Sequence, residues 1–135
     1  MANDEAARKA LAQLDKALRY ARGAEGGDPG LFEQFRNSVI QTFEYSYELT
    51  TKFLRRALSE RAATSDEVLS LSFPDLLRLA ARLGMITSVD RWLVFRTVRN
   101  KTSHGYEESF ADEAYWHAGE FLDAALEVMS RLERG

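Results

Sequence analysis

Phe32, Phe35, Val39, Phe43, Tyr47 and Leu54 recur at threes, fours and sevens, the repeat of a helix that packs along one seam of a bundle. This stretch, from about Pro29 to Arg61, constrains the chain more than any other. Tyr45 and Phe53 lie off the seam, so the helix is apolar on more than one face and must be covered on more than one. A central place in a bundle meets that need, and so does an oligomer interface; both are expected here.

The remaining segments read as helices with short connections. Leu11, Leu14 and Leu18 mark a first helix from about Asp4 to Arg22, ended by the turn-rich Gly23–Gly30 stretch. Asp28 before Pro29 is a start signal for the long helix. Thr64-Ser-Asp-Glu67 has capping-box spacing for a short helical turn. Ser72-Phe-Pro-Asp75 is a stronger start, leading into Leu76, Leu77, Leu79 and Leu83, with Gly84 as a stop. Thr87-Ser-Val-Asp90 opens a helix carrying Trp92, Leu93, Phe95 and Val98, expected to reach about His104 before Gly105 ends it. Ser109-Phe-Ala-Asp112 is expected to start the last helix, with Tyr115, Ala118, Phe121, Leu122, Ala125, Met129 and Leu132 on its apolar face. No strand-like alternation or internal repeat competes. The expectation is all-α: an up-down four-helix bundle with one additional short helix, forming a single domain over residues 1–135.

Composition narrows the chemistry. There is no cysteine, so disulfides and thiolate metal sites are excluded. The two histidines, His104 and His117, show no metal-ligand spacing, so neither a metal nor a cofactor is expected. The acidic start MANDEAARKALAQL does not read as a signal peptide, and nothing approaches the length of a membrane span. A cytoplasmic protein without membrane contact is expected. A net charge of -3 is unlike a broadly basic nucleic-acid binder, yet Arg91, Arg96, Arg99 and Lys101 concentrate positive charge in one short stretch.

That stretch leads into Arg99-Asn-Lys-Thr-Ser-His-Gly-Tyr106. Asn100 and His104 are four apart and share a helix face, with Arg96 and Arg99 on the adjoining one. A histidine in the last turn of a helix meets the carbonyl end, which favours imidazolium, and a nearby arginine, which opposes it. The two effects keep it titrating near neutrality, where general acid–base catalysis works best. Arg99 can grip a phosphate through paired hydrogen bonds and stabilise the charge that builds in phosphoryl transfer. RNA brings its own nucleophile, the 2′-hydroxyl, so a base, an acid and an anion clamp suffice. An arginine five residues before a histidine is a common coincidence in an arginine-rich chain; Tyr106 two residues later makes the pattern rarer. On residue types alone, His104 reads equally well as a helix C-cap, Arg96 and Arg99 as a solvated face, Asn100 as surface and Tyr106 as packing.

The segment resembles the Arg-x4-His-x-Tyr signature of HEPN-family toxins of the HepT-like type, in the branch described as nucleotidyltransferase substrate-binding proteins. Val39-Ile-Gln-Thr-Phe-Glu44-Tyr-Ser-Tyr47-Glu-Leu49 with Lys52 is similar to that branch's second helix, and Gly84-Met-Ile86 with Trp92 to its linker into the motif helix. The likeness covers about Phe32 to Ala114. It implies a bundle that forms a homodimer with two motifs facing one cleft. It implies catalytic roles for Arg99 and His104 in a metal-independent endoribonuclease acting on an RNA substrate, with Asn100 orienting the site and Arg96, Ser103 and Lys101 nearby. It also implies a toxin–antitoxin pair, in which a minimal nucleotidyltransferase transfers AMP to Tyr106 and blocks the anion site with added phosphate. The chain departs from the branch at Thr50-Thr51, where a small residue and a tryptophan are usual, and at Thr42, often basic. The alternative from another class is a non-catalytic subunit that presents substrate to the nucleotidyltransferase, and a third is a helical adaptor that binds only protein. Phe32, Phe43, Tyr47 and Trp92 are expected to be core or interface, and His117 a surface or interface residue.

Overall fold

The computed structural model describes residues 3–62, 64–102 and 107–134. Among them the order is α1 (Glu5–Ala24), α2 (Pro29–Arg61), α3 (Ser65–Ser70), α4 (Phe73–Arg82), α5 (Val89–Thr102) and α6 (Glu108–Arg134), with no strand. The four long helices α1, α2, α5 and α6 form the bundle. Helix α2 packs against α1, α5 and α6, as its seam requires; of the off-seam aromatics expected to be covered, Phe53 packs partly buried against the core while Tyr45 is 57% exposed. The additional short helix is α4, and the capping-box stretch at Thr64 gives the six-residue α3 before it.

The helix ends follow from local chemistry, with some differences from the sequence reading. Asp28 caps α2, accepting from the Gly30 N–H at 3.3 Å with Pro29 in the first turn. Ser72 caps α4 by accepting from the Asp75 N–H at 3.3 Å. Gly84, at φ +76, ends α4 in a Schellman arrangement: Met85 N–H donates to the Ala80 carbonyl at 2.8 Å and Gly84 N–H to Ala81 at 3.1 Å. Thr64 does not cap the α3 backbone, because its hydroxyl is taken by the Glu67 carboxylate at 2.9 Å. At α5 the cap is Ser88, which accepts from the Arg91 N–H at 3.2 Å, while Thr87 turns away to Glu127 at 2.6 Å. The last helix starts earlier than the Ser109 signal suggests. The Glu107 carbonyl already accepts from Phe110 and Ala111 N–H, both at 3.0 Å. Helix α1 runs on to Ala24. The described part of α5 ends at Thr102; the expected stop at His104 and Gly105 lies outside the described residues.

Phe121 of α6 is the hub of the core. Its ring meets Phe43 at 5.3 Å, Phe95 at 5.4 Å and Trp92 at 5.8 Å, all edge to face, the geometry aromatic quadrupoles favour. Phe43, Trp92, Phe95 and Phe121 are buried, so the expected core role of Phe43 and Trp92 holds; Tyr47 is 8% exposed and Phe32 packs partly buried against the cluster. Thr42, Thr50 and Thr51 sit on α2. Thr50 is buried with its hydroxyl unpartnered among the described residues, whereas Thr51 and Thr42 donate back to the carbonyls of Tyr47 and Ser38 at 3.0 and 2.9 Å. Among the described residues no helix is long and apolar enough to cross a membrane.

Candidate functional site

Trp92, Phe95, Val98 and Thr102 recur at threes and fours and form the buried face of α5. That fixes where its cations point: Arg91, Arg96 and Asn100 are exposed, Arg99 and Lys101 half-buried. The cations then divide. Arg91 approaches Glu120 at 3.8 Å, and Lys101 pairs with Glu113 of α6 at 3.2 Å while lying 5.9 Å from the Phe110 ring centre. Arg96 lies over the face of Phe73, 5.5 Å from its centroid. Among the described residues no carboxylate comes within salt-bridge distance of Arg96 or Arg99.

Facing this pair, α2 presents Glu44 and Tyr47, one helical turn apart as Arg96 and Arg99 are. The Phe73 ring joins the two sides, lying 6.4 Å from the Tyr47 ring and under Arg96. Burial pushes the Tyr47 hydroxyl up to about 12, although Arg96 and Arg99 both pull it down. Burial also raises the Glu44 carboxyl above its ordinary range, opposed by the Arg99 charge and by hydrogen bonding to Thr102. Thr102 itself is buried, with its hydroxyl donating to the Arg99 carbonyl at 2.9 Å. The result is two guanidinium groups that make no salt bridge among the described residues, faced by the half-buried Glu44 carboxyl and the buried Tyr47 phenol. Such a surface can take a phosphate in paired hydrogen bonds.

The start of α6 is pinned separately. Arg36 of α2, 5% exposed, donates to Glu108 at 2.7 Å and to Asp112 at 3.1 Å. Its Nε is buried without a partner among the described residues, so the guanidinium serves these two carboxylates. Hydrogen bonding to Arg36 holds the Glu108 carboxyl below the usual range.

Of the expected site residues, Arg96 and Arg99 come together on one flank of α5, with Asn100 exposed beside them and Lys101 diverted to Glu113. Ser103, His104 and Tyr106 lie outside the described residues. His117 is half-buried on α6, its Nδ1 4.0 Å from Glu120, which also meets Arg91. Arg91 is eight residues before Arg99, about 12 Å along the helix. Sequence reasoning missed Glu44 and Arg36 as site elements and took Tyr47 as core or interface. For Arg36 a signal existed: it is a charged residue among buried positions of α2, and Glu108 and Asp112 are spaced to meet it from one face of α6. For Glu44 the periodicity held no signal, because its role depends on how α5 lies against α2.

Comparison with known proteins gives consistent likenesses. The family model described as nucleotidyltransferase substrate binding protein like matches residues 3–134. A Haemophilus influenzae protein named probable ribonuclease HepT is 35% identical over 96 residues, 71% of this chain and 66% of that protein, so the match spans just under two thirds of that relative. A solved Haemophilus influenzae structure, described as revealing the fold of a substrate binding domain of a nucleotidyltransferase, superposes with a TM-score of 0.88 at 27% identity, covering 97% of this chain and 99% of that one. A Thermus thermophilus crystal structure superposes at 0.74 with 26% identity, covering 93% and 98%.

Proposed function

The chain belongs to the nucleotidyltransferase substrate-binding-protein-like family, and on that premise we propose that it is a cytoplasmic, metal-independent endoribonuclease toxin restrained by a partner nucleotidyltransferase. The observation that carries this reading is the Arg96–Arg99 pair. Both guanidinium groups lie on the last described turns of α5 and make no salt bridge among the described residues, shortly before His104 and Tyr106 in sequence. A ribonuclease-named relative at 35% identity supports the same reaction class.

The chemistry assigned to these residues is transesterification. His104 as base takes the proton of the RNA 2′-hydroxyl, whose oxygen forms a bond to the adjacent phosphorus. The P–O5′ bond breaks, and an acid returns a proton to the departing 5′-oxygen. Across a homodimer with two motifs in one cleft, two copies of His104 supply base and acid. Arg99 clamps the non-bridging oxygens and stabilises the charge that builds on them. Arg96 draws the strand in, and Asn100 and Ser103 orient it. The restraint runs through Tyr106: its hydroxyl attacks the α-phosphate of ATP held by the nucleotidyltransferase, forming a phosphodiester and releasing pyrophosphate. The bound AMP then fills the anion site.

A second reading is a non-catalytic subunit that presents substrate to the nucleotidyltransferase. It is favoured by the likeness to the Haemophilus influenzae structure described as a substrate binding domain of a nucleotidyltransferase. Bacteria expressing this chain alone, beside a His104→Ala version matched for folding, separate the two. The ribonuclease reading expects growth arrest and RNA breakdown with wild type only; equal harmlessness of both supports the presenting subunit.

A further inference from the structure

The face shared by α1 and α2 carries two adjoining grooves of about 310 and 250 Å³, which have Lys16 and Tyr20 in common. From α2 the second groove is lined by Phe35, Ser38 and Thr42, whereas Glu44 faces Arg99 of α5. The Tyr20 ring is 55% exposed and lies 5.6 Å from the Phe35 ring, tilted 30° to it. Phe35 packs against the core and so backs a ring that still offers surface to solvent. Cations stand beside it without a carboxylate to answer them. Lys9, Gln13, Lys16 and Tyr20 follow at fours and threes on one face of α1. The Lys16 ammonium is 6.0 Å from the Tyr20 ring centre, and neither Lys9 nor Lys16 makes a salt bridge among the described residues. The acid between them, Asp15, is taken by Arg19 at 3.3 Å. Between Gln34 and Tyr45 of α2 the charged residues are Arg36, buried against Glu108, and Glu44. A chain of net charge -3 therefore keeps an exposed aromatic surface and unanswered positive charge together in one groove. Tyr45, 57% exposed, continues the face, two turns and roughly 10 Å beyond Ser38 on α2.

We infer that the α1–α2 groove binds single-stranded RNA, with one base stacked on Tyr20, a phosphate on Lys16 and a further base on Tyr45. Stacking on aromatic side chains beside positive charge is how proteins hold single strands without reading their sequence. A small anion would use the lysine and leave the rings idle; two tyrosines along one face suit a strand. The inference rests on the ribonuclease reading for making that strand a substrate, while binding itself is measured without cleavage. The groove lies on a different side of α2 from Glu44, so it holds RNA away from the arginine flank of α5. A contact made equally before and during the reaction lowers KM and leaves kcat alone.

The experiment titrates the full chain into a fluorescein-labelled, single-stranded 2′-O-methyl oligonucleotide, which lacks the free 2′-hydroxyl and is not cut by transesterification. Anisotropy is read for wild type, Lys16→Gln, Tyr20→Ala and Tyr45→Ala, exposed changes whose thermal melts are compared with wild type. Tyr20→Ala and Tyr45→Ala are each expected to weaken binding about tenfold. Lys16→Gln is expected to lower the slope of log affinity against log salt by about 0.7. With cleavable RNA, the same variants raise KM and keep kcat within about twofold of wild type. Wild type that does not bind the strand, or variants that bind it as wild type does, overturn the inference. So does adenosine monophosphate binding at Tyr20 where the strand does not, which would make the groove a site for free nucleotides. Tyrosine variants that lose a dimer in sedimentation but keep their RNA affinity overturn it in favour of a contact between copies. If Tyr20→Ala fails to fold, the salt slope of Lys16→Gln carries the test. Wild type that binds the strand through the groove but never cuts RNA removes the ribonuclease reading and leaves the inference in place. Cutting with KM and strand affinity unchanged in every variant does the reverse.

Discussion

The Arg36 guanidinium meets the Glu108 carboxylate at 2.7 Å, although one side chain is 6% exposed and the other 74%. The contact ties the long central helix to the first turn of α6, and Arg36 lowers the pKa of Glu108. A carboxylate with a lowered folded pKa contributes stability that is present above its unfolded value and lost as the pH falls through the folded one. The stability gap between wild type and Glu108→Gln is therefore expected at neutral pH and should close under acid, on the low side of the ordinary glutamate range. Urea unfolding of both proteins at pH 7 and at about pH 3 checks this; a gap that widens at low pH would contradict it.

Glu44 has the opposite sign. Burial raises its carboxyl, so the folded state binds the proton more tightly than the unfolded state does. Its contribution is most favourable below the unfolded pKa and declines as the pH rises through the folded one. Glu44→Gln is expected to be at least as stable as wild type at pH 7, with the difference shrinking in acid. The same variant removes the carboxyl facing Arg99, so the pH profile of RNA cleavage should shift on its acid limb. A stable variant with an unaltered profile would place Glu44 outside the reaction.

Arg99→Lys tests the clamp. Lysine keeps the charge but lacks the planar fork that binds two phosphate oxygens at once. Cleavage is expected to fall at least about tenfold. Stability should change by no more than about 0.5 kcal/mol, since lysine keeps the charge that faces Glu44 and Arg99 makes no salt bridge among the described residues. Single-turnover kinetics with thermal melts separates the two effects.

Phe121→Ala removes the ring on which Phe43, Trp92 and Phe95 converge. The loss should be about 3–5 kcal/mol, typical of truncating a fully buried phenylalanine. A much smaller loss in denaturant melts would mean that α5 and α6 repack around the cavity.

Gly84→Ala addresses the turn between α4 and α5. The residue sits at φ +76 with no heavy atom near enough to obstruct a methyl group, so the whole cost is backbone conformation, about 1–2 kcal/mol. A stabilised variant would show that the turn relaxes out of the left-handed region.

Much of this architecture was legible because it rests on local rules. The seam through Phe43, Tyr47 and Leu54, the Asp28 and Ser72 caps and the Gly84 stop are each written within a few residues, and the structure follows them. The differences arise where a distant partner intervenes. Thr87 gives up the capping role because Glu127 takes its hydroxyl across the bundle at 2.6 Å, and Ser88 caps instead. The site divides in the same way. Arg96 and Arg99 sharing a flank of α5 follows from helical period, whereas Glu44 and Arg36 enter only through the way α2 crosses α5 and α6. Lys101 looked like a companion of the arginines, but Glu113 captures it.

Because α2 is one continuous helix of 33 residues, it works as a ruler with two marks. Arg36 sets the start of α6, and Glu44 with Tyr47 faces the end of α5; the marks are eight residues, roughly 12 Å, apart. Inserting a single residue between them would turn one mark by about 100° relative to the other, so that Arg36 and Glu44 could no longer meet α6 and α5 at once. The stretch between Arg36 and Glu44 should therefore be as intolerant of length change as the motif itself. The turn-rich Gly23–Gly30 connection holds neither mark, so a change of length there leaves their spacing intact.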